Sequence, residues 1–187
     1  MLVLPNRPMG VCMTYVTDEM RSLIGVEGPV NTAPYPLGPD ELRRFVQGAM
    51  EEDPIHFDSD AAVRRGFKDV VATPLFPVHS LRRPPGSPDP FARFAEEPEW
   101  DGLEYESSFA GLPPIRLPLR RILNGGVNAQ FFQVAEIGDV ISSRSRYVDI
   151  TERSGSSGPM VLVQIETSYT NQDDELLMRV RNTIIMR

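Results

Sequence analysis

From Ile122 to the C-terminus, apolar and polar positions alternate in the two-residue rhythm of β-strands. Val161, Val163, Ile165, Thr167 and Tyr169 fall on one face, and Leu162, Gln164, Glu166, Ser168 and Thr170 on the other, which predicts a half-buried strand. Met178 and Val180 alternate with Arg179 and Arg181 in a last strand ending at Ile185. Further strands are predicted over Val127 to Val134, preceded by Gly125-Gly126, and over Val140 to Ile150. Gly138-Asp139, Ser154-Gly155-Ser156-Ser157-Gly158-Pro159 and Asn171-Gln172-Asp173-Asp174 supply the turns, so the strands form an antiparallel meander.

The first half runs at helical spacing instead. Thr17 reads as an N-cap, with Asp18 and Glu19 in the first turn where the helix dipole favours acids, and the helix through Met20, Leu23 and Ile24 stops near Gly28-Pro29. Val30 to Tyr35 predicts a connecting strand. Gly38-Pro39-Asp40-Glu41 is a helix start, because proline at the first position loses no hydrogen bond. Leu42, Phe45, Val46, Ala49 and Met50 then make one apolar stripe, with Glu51 at the helix end and Pro54 as terminator. Ser59 caps a short helix through Ala61, Ala62 and Val63 that Gly66 closes; Phe67 to Ala72 is extended; Pro74 starts a helix carrying Leu75, Phe76, Val78 and Leu81.

Residues 82–121 break every period with Pro84, Pro85, Pro88, Pro90, Pro98, Pro113, Pro114 and Pro118. Their aromatics (Phe91, Phe94, Trp100, Tyr105, Phe109) argue against plain disorder. The stretch is read as an insertion within one domain spanning 1–187: a folded-over lid, an oligomer contact, or a surface elaboration. Helices first and strands second predict an α+β fold, with one helix on the concave face of the sheet.

Composition narrows the class. The chain has 187 residues, 41% hydrophobic and 24% charged, enough for one cored domain. A net charge of −7 excludes a general nucleic-acid binder. Lys68 is the only lysine; the other basic residues are arginines, which suit phosphate. Cys12 is the only cysteine, which rules out an intrachain disulfide and suits a reducing cytoplasm. The N-terminus is too short and broken for a signal peptide, and no run reaches the roughly 20 apolar residues of a membrane helix. These features predict a soluble cytoplasmic protein.

The chemistry concentrates in Glu51-Glu52-Asp53-Pro54-Ile55-His56-Phe57-Asp58, four carboxylates (Glu51, Glu52, Asp53, Asp58) beside one of the chain's two histidines. Each has a plainer reading: Glu51 as a solvated helix-end acid, Asp53 as a turn residue, Asp58 as a helix-start acid, His56 as a loop histidine. Glu51, Asp53, His56 and Asp58 are too mixed a set to be read as a metal site. His79, on an apolar run, reads as a core or interface histidine. Arg82-Arg83 and Arg120-Arg121 are candidates for phosphate contacts or solvated surface. Gly125-Gly126 lacks the strand–glycine–helix context of a phosphate loop and suits close strand packing or passage of an acyl chain.

The same segment, followed by Ala61-Ala62 and Gly66-Phe67, resembles the hydratase motif of the MaoC-like dehydratases, hot-dog-fold (R)-specific enoyl-CoA hydratases. That motif runs roughly Ser-Gly-Asp-x-Asn-Pro-(Leu/Ile)-His-x-Asp, then Ala, then Gly-Phe. Gly125-Gly126, Gly138-Asp139 and Tyr169-Thr170-Asn171-Gln172-Asp173 resemble the N-terminal, FAS1-like type of the domain, so the likeness covers roughly 15–80 and 122–187. It implies a hot-dog fold, an antiparallel sheet wrapped around a central helix. Position by position, the family's catalytic His falls on His56, its Asp on Glu51, its Asn on Asp53 and its Ser-Gly on Ala49-Met50. The glycine whose N–H binds the thioester oxygen falls on Pro74, which has no N–H, leaving Thr73 or a neighbouring backbone group to replace it.

The resemblance implies hydration or dehydration of a trans-2-enoyl thioester, with Glu51 and His56 as the water-handling pair, and Asp53, Thr73, Gly125 and Gly126 toward the substrate. Coenzyme A enters as part of the substrate, with no metal or redox cofactor. A homodimer, or a heterodimer with a second MaoC-like chain, is implied as partner; a nucleic acid or membrane is not. A non-catalytic substrate-binding subunit and a hot-dog thioesterase are the other readings.

Overall fold

The computed structural model describes residues 14–81, 83, 86–89, 91–100, 109–119, 121–155 and 158–187. Cys12, Arg82, Pro84, Pro85, Pro90, Tyr105, Arg120 and the Ser156-Ser157 turn centre lie outside the described residues. The chain forms α1 (Asp18–Ser22), β1 (Asn31–Thr32), α2 (Pro39–Ala49), a 3₁₀ turn (Pro54–His56), α3 (Ser59–Arg64) and α4 (Phe76–Ser80). Four long strands follow: β2 (Ile122–Phe131), β3 (Ser142–Gly155), β4 (Gly158–Thr170) and β5 (Leu176–Met186). The five strands make one antiparallel sheet in the order β1-β3-β4-β5-β2. The α+β arrangement is the one the sequence predicts. Among the described residues no helix is long and apolar enough to cross a membrane.

Thr17 caps α1, its Oγ1 accepting from the Met20 N–H at 3.3 Å, and Pro39 opens α2. Three local expectations are corrected. Helix α2 does not reach Glu51, and Pro54 is not what stops it. It ends at Ala49, where Met50 turns left-handed (φ 53°) and the Glu51 N–H closes back on the Val46 carbonyl at 3.1 Å. Asp58 caps α3 rather than Ser59, because its Oδ1 reaches the Ala61 N–H at 3.2 Å. The strand predicted over Val30 to Tyr35 shrinks to the two residues of β1.

The alternation in β4 sorts as predicted. Val161, Val163, Ile165, Thr167 and Tyr169 are buried, and the register sets Tyr169 opposite Met178 and Val163 opposite Ile184 on the same face. Two apolar clusters divide that face. Leu42 and Val46 of α2 and Phe76 of α4 cover the half made by Tyr169, Met178 and Val180. Val16, Leu112 and Ile115 cover the half made by Tyr147, Ile150, Val161, Val163, Ile165 and Met186. Tyr147 and Ile150 both point inward, three residues apart, because the register slips by one between Tyr147 and Asp149.

The end of the proline-rich stretch is therefore core cover and not a lid. Leu112 and Ile115 are buried, Leu117 and Leu119 pack beside them, and the Tyr147 hydroxyl donates to the Pro113 carbonyl at 2.7 Å. Burial pushes the Tyr147 phenol up to about 12, so it stays a donor across the physiological range. Prolines hide this role: they break the helical period while still presenting Leu112, Ile115, Leu117 and Leu119 to the sheet. The chain before α1 is tied down similarly, the Tyr15 N–H donating to Glu152 Oε2 at 2.7 Å. Upstream, Phe94 packs on Trp100 at 4.8 Å between centroids, with the Arg93 guanidinium 5.2 Å above the indole.

Candidate active site

The acidic stretch forms the connection from α2 to α3, and two hydrogen bonds lock it to the chain that follows. The Val71 N–H donates to the Ile55 carbonyl at 3.2 Å, and His56 Nδ1 lies 2.8 Å from the Val71 carbonyl. A carbonyl oxygen only accepts, so Nδ1 is the donor in this bond and Nε2 is left free of it. His56 is 6% exposed, so the ring has little room to turn. Sequence distance conceals this, since Val71 lies 15 residues beyond His56.

Glu51 is half-buried, and its Oε1 accepts from the N–H groups of Glu52 (3.1 Å) and Asp53 (3.3 Å). Those bonds orient the carboxylate, and among the described residues Oε2 has no hydrogen-bond partner. Glu51 and His56 line one pocket of about 370 Å³, whose apolar wall is Leu42, Val46, Met50, Phe57 and Val70. Arg43 and Gln47, which fall outside the motif, also line it. They bond to each other (Arg43 Nη1 to Gln47 Oε1, 3.0 Å), and their four-residue spacing on α2 is the signal that puts them on one face. The pocket thus has one imidazole and one carboxylate in its wall, beside an apolar trough.

The other predicted residues sit elsewhere or do other work. Asp53 is spent on the loop: Oδ1 accepts from the Ile55 N–H at 3.3 Å and Oδ2 from Arg65 Nη1 at 2.7 Å. The Arg65 hydrogen bond, with the Ile55 N–H, holds the Asp53 carboxyl below the usual carboxylate range. Thr73 does not line the pocket; it is 5% exposed, and among the described residues its buried hydroxyl has no hydrogen-bond partner. Gly125 and Gly126 do not line the pocket. They lie inside β2 rather than before it, at a bulge opposite Thr183 where Gly126 has φ +118°. A Cβ on Gly125 would meet Thr183 Cγ2 at 2.8 Å and Ile185 Cγ1 and the Thr183 carbonyl oxygen at 3.0 Å. Gly125→Ala is accordingly expected to lower unfolding free energy by about 1–3 kcal/mol in urea denaturation, through overpacking.

His79 belongs to the other flank of α2. Its ring packs on Phe45 at 4.9 Å, and with Arg44 and Arg83 it lines a groove of about 940 Å³. Among the described residues no three His, Cys, Asp or Glu side chains gather as ligands for a metal.

The family model described as "FAS1-like, dehydratase domain region" matches residues 22–180. The chain belongs to the FAS1-like dehydratase-domain family. A UPF0336 protein of Saccharopolyspora erythraea is 23% identical to this FAS1-like domain over 167 residues, 89% of this chain and 90% of that protein. Among solved structures, the ChsH1–ChsH2 complex of Mycobacterium tuberculosis superposes with a TM-score of 0.62 at 13% identity, covering 86% of this chain and 84% of that one. The HadBC complex of the same organism, a 3R-hydroxyacyl-ACP dehydratase, gives 0.52 at 18% identity, covering 84% and 95%. A MaoC-like dehydratase from Rhodospirillum rubrum also superposes. These likenesses establish the hot-dog fold and bear out the family resemblance read from the motif.

Proposed function

We infer that this FAS1-like domain is a hydro-lyase subunit that adds water to, or removes it from, a trans-2-enoyl thioester of coenzyme A. The observation that carries the reading is the His56–Val71 hydrogen bond, which engages Nδ1 and leaves Nε2 free of it on a ring that lines the same pocket as Glu51. In the hydration direction, Glu51 Oε2 holds a water and His56 Nε2 takes one of its protons. The water oxygen bonds to C3, and the C2–C3 π pair moves toward C2 and the thioester carbonyl. The imidazolium then returns the proton to C2, so the thioester gains one water and the protein is unchanged. The trough beside the pair accommodates the acyl chain, and the chain's single cysteine suits a cytoplasmic setting.

The developing negative charge on the carbonyl oxygen needs a donor that Pro74 does not have. Thr73 is the candidate: it lies outside the pocket lining, but its hydroxyl is buried and, among the described residues, unpaired, two residues after the Val71 carbonyl that orients His56. Thr73→Val is expected to lower kcat about 100-fold. Stability should hold or rise, because a buried hydroxyl without a partner is removed at nearly constant shape. Steady-state kinetics and thermal unfolding on the same sample check both; unchanged kcat would remove Thr73 from the reaction.

A second reading has a specific observation behind it. β2 is an edge strand with Val127 and Phe131 exposed on it, a surface suited to pairing with a second hot-dog chain. HadBC and ChsH1–ChsH2 are heteromeric complexes. On that reading this chain shapes the acyl site and the partner completes the catalytic groups. Loss of the enoyl absorbance of crotonyl-CoA and of a longer enoyl-CoA tests the primary reading. Turnover by the chain alone, or only with a second MaoC-like chain but sensitive to His56, supports it. No turnover in either case by folded protein sinks it.

A further inference from the structure

The convex face of the sheet, opposite α2, carries a patch with more cations than it needs. Register places two rows side by side across β3, β4, β5 and β2: Arg146–Glu166–Arg181–Asn128 and Arg144–Ser168–Arg179–Gln130. In the first row Glu166, 4% exposed, accepts from Arg146 (3.1 Å from Nε, 2.7 Å from Nη2) and from Arg181 Nη2 at 2.8 Å. Burial acts to raise the Glu166 carboxyl, but the Arg181 and Arg146 hydrogen bonds and the charges of Arg146 and Arg179 outweigh it and hold it below its ordinary value. Arg144 is answered by Glu27 at 3.0 Å. Two carboxylates therefore face four guanidiniums, on a chain whose net charge is −7.

Among the described residues Arg179 is the least closely matched of the four, because Arg146 and Arg181 already hold Glu166 at 2.7 and 2.8 Å. Its Nε is buried with no hydrogen-bond partner among the described residues, and Glu166 Oε1 stands 3.8 Å away, too far to accept. Phe132 stacks beneath the guanidinium at 5.6 Å. The buried Nε–H fixes the guanidinium in place, and the remainder of the side chain, which as a whole is 37% exposed, is what a ligand in the cavity meets. Arg179, Arg144, Arg146 and Ser168 border a cavity of about 230 Å³ on this face, with Glu27 and Glu166 also in its wall.

We propose that this cavity binds a phosphate group, held by Arg179 and Arg144 across Ser168. The chemistry fits: planar guanidiniums donate in pairs to tetrahedral oxyanions, the Ser168 hydroxyl adds a neutral donor, and the cavity wall sets three guanidiniums (Arg144, Arg146, Arg179) against two carboxylates (Glu27, Glu166), leaving a positive surplus that favours an oxyanion. Glu166 does not repel the anion on balance, because Arg146 and Arg181 already neutralise it. The site lies across the sheet from Glu51 and His56, so it is independent of the reaction inferred above.

The test is a titration of the purified chain with sodium phosphate against sodium chloride at matched ionic strength, followed by the thermal midpoint and by ³¹P linewidth. A saturable rise in midpoint with phosphate only is expected, weakened at least about tenfold by Arg179→Gln and unaffected by Lys68→Gln. Should Arg179→Gln not fold, Ser168→Ala carries the same expectation with a smaller loss. A parallel titration with glycerol 3-phosphate separates the sources: tighter binding than inorganic phosphate points to a phosphate ester, weaker binding to the free anion. Equal responses to phosphate and chloride, or phosphate binding indifferent to both Arg179 and Ser168, would overturn the proposal.

Discussion

His56→Ala is expected to cut enoyl-thioester hydration by about 100- to 10,000-fold, the range for removing a positioned general base. The same change costs stability, because the Val71 carbonyl loses the Nδ1–H that satisfies it, a penalty of about 1–3 kcal/mol. His56→Asn separates the effects. The asparagine amide N–H sits near the position of Nδ1 and keeps the Val71 bond, but nothing replaces Nε2. It should therefore restore much of the thermal stability and none of the turnover. Recovery of turnover in His56→Asn would mean that His56 only braces the loop and that the base lies elsewhere.

Leu112→Ala is expected to lower unfolding free energy by about 2–5 kcal/mol, measured by urea denaturation at constant slope. Leu112 is fully buried against the half of the sheet that contains Tyr147, Val161 and Val163, and the neighbouring Pro113 carbonyl takes the Tyr147 hydroxyl. Truncation there opens a cavity that the flanking prolines are too stiff to collapse. A domain of this kind has only about 5–15 kcal/mol in hand, so the variant should unfold within a much lower denaturant range. A loss below about 0.5 kcal/mol, as for a surface site, would restore the lid reading of the proline-rich stretch.

Elements that local pattern determines are legible in the amino-acid sequence. The stripe of Leu42 and Val46, the Thr17 cap, the Gly66 stop and the alternation of β4 each depend on neighbours within a few residues. Features that depend on distant partners are not. The slip at Val148 that turns Tyr147 and Ile150 to one face, the bulge at Gly125, and the docking of Leu112 and Ile115 follow from pairings far along the chain. The candidate site divides the same way. Glu51 and His56 stand out because they lie five residues apart in one motif, whereas the Val71 carbonyl and the unpaired Thr73 hydroxyl come from a later segment. Asp53 shows the hazard of motif transfer: its carboxylate is committed to Ile55 and Arg65. The spacing of Arg144 with Arg146, and Arg179 with Arg181, is plain in sequence, but only the register sets both pairs around Glu166.

The central claim is that water is added across a double bond at Glu51 and His56. It is tested most directly by incubating the chain, with a MaoC-like partner if one is required, with crotonyl-CoA in ¹⁸O-labelled heavy water and weighing the products. The account predicts a 3-hydroxyacyl-CoA carrying one labelled oxygen at C3 and one deuterium at C2, absent with the Glu51→Gln/His56→Ala variant. Labelled free acid with release of coenzyme A thiol, or label uptake that survives in the double variant, would contradict it.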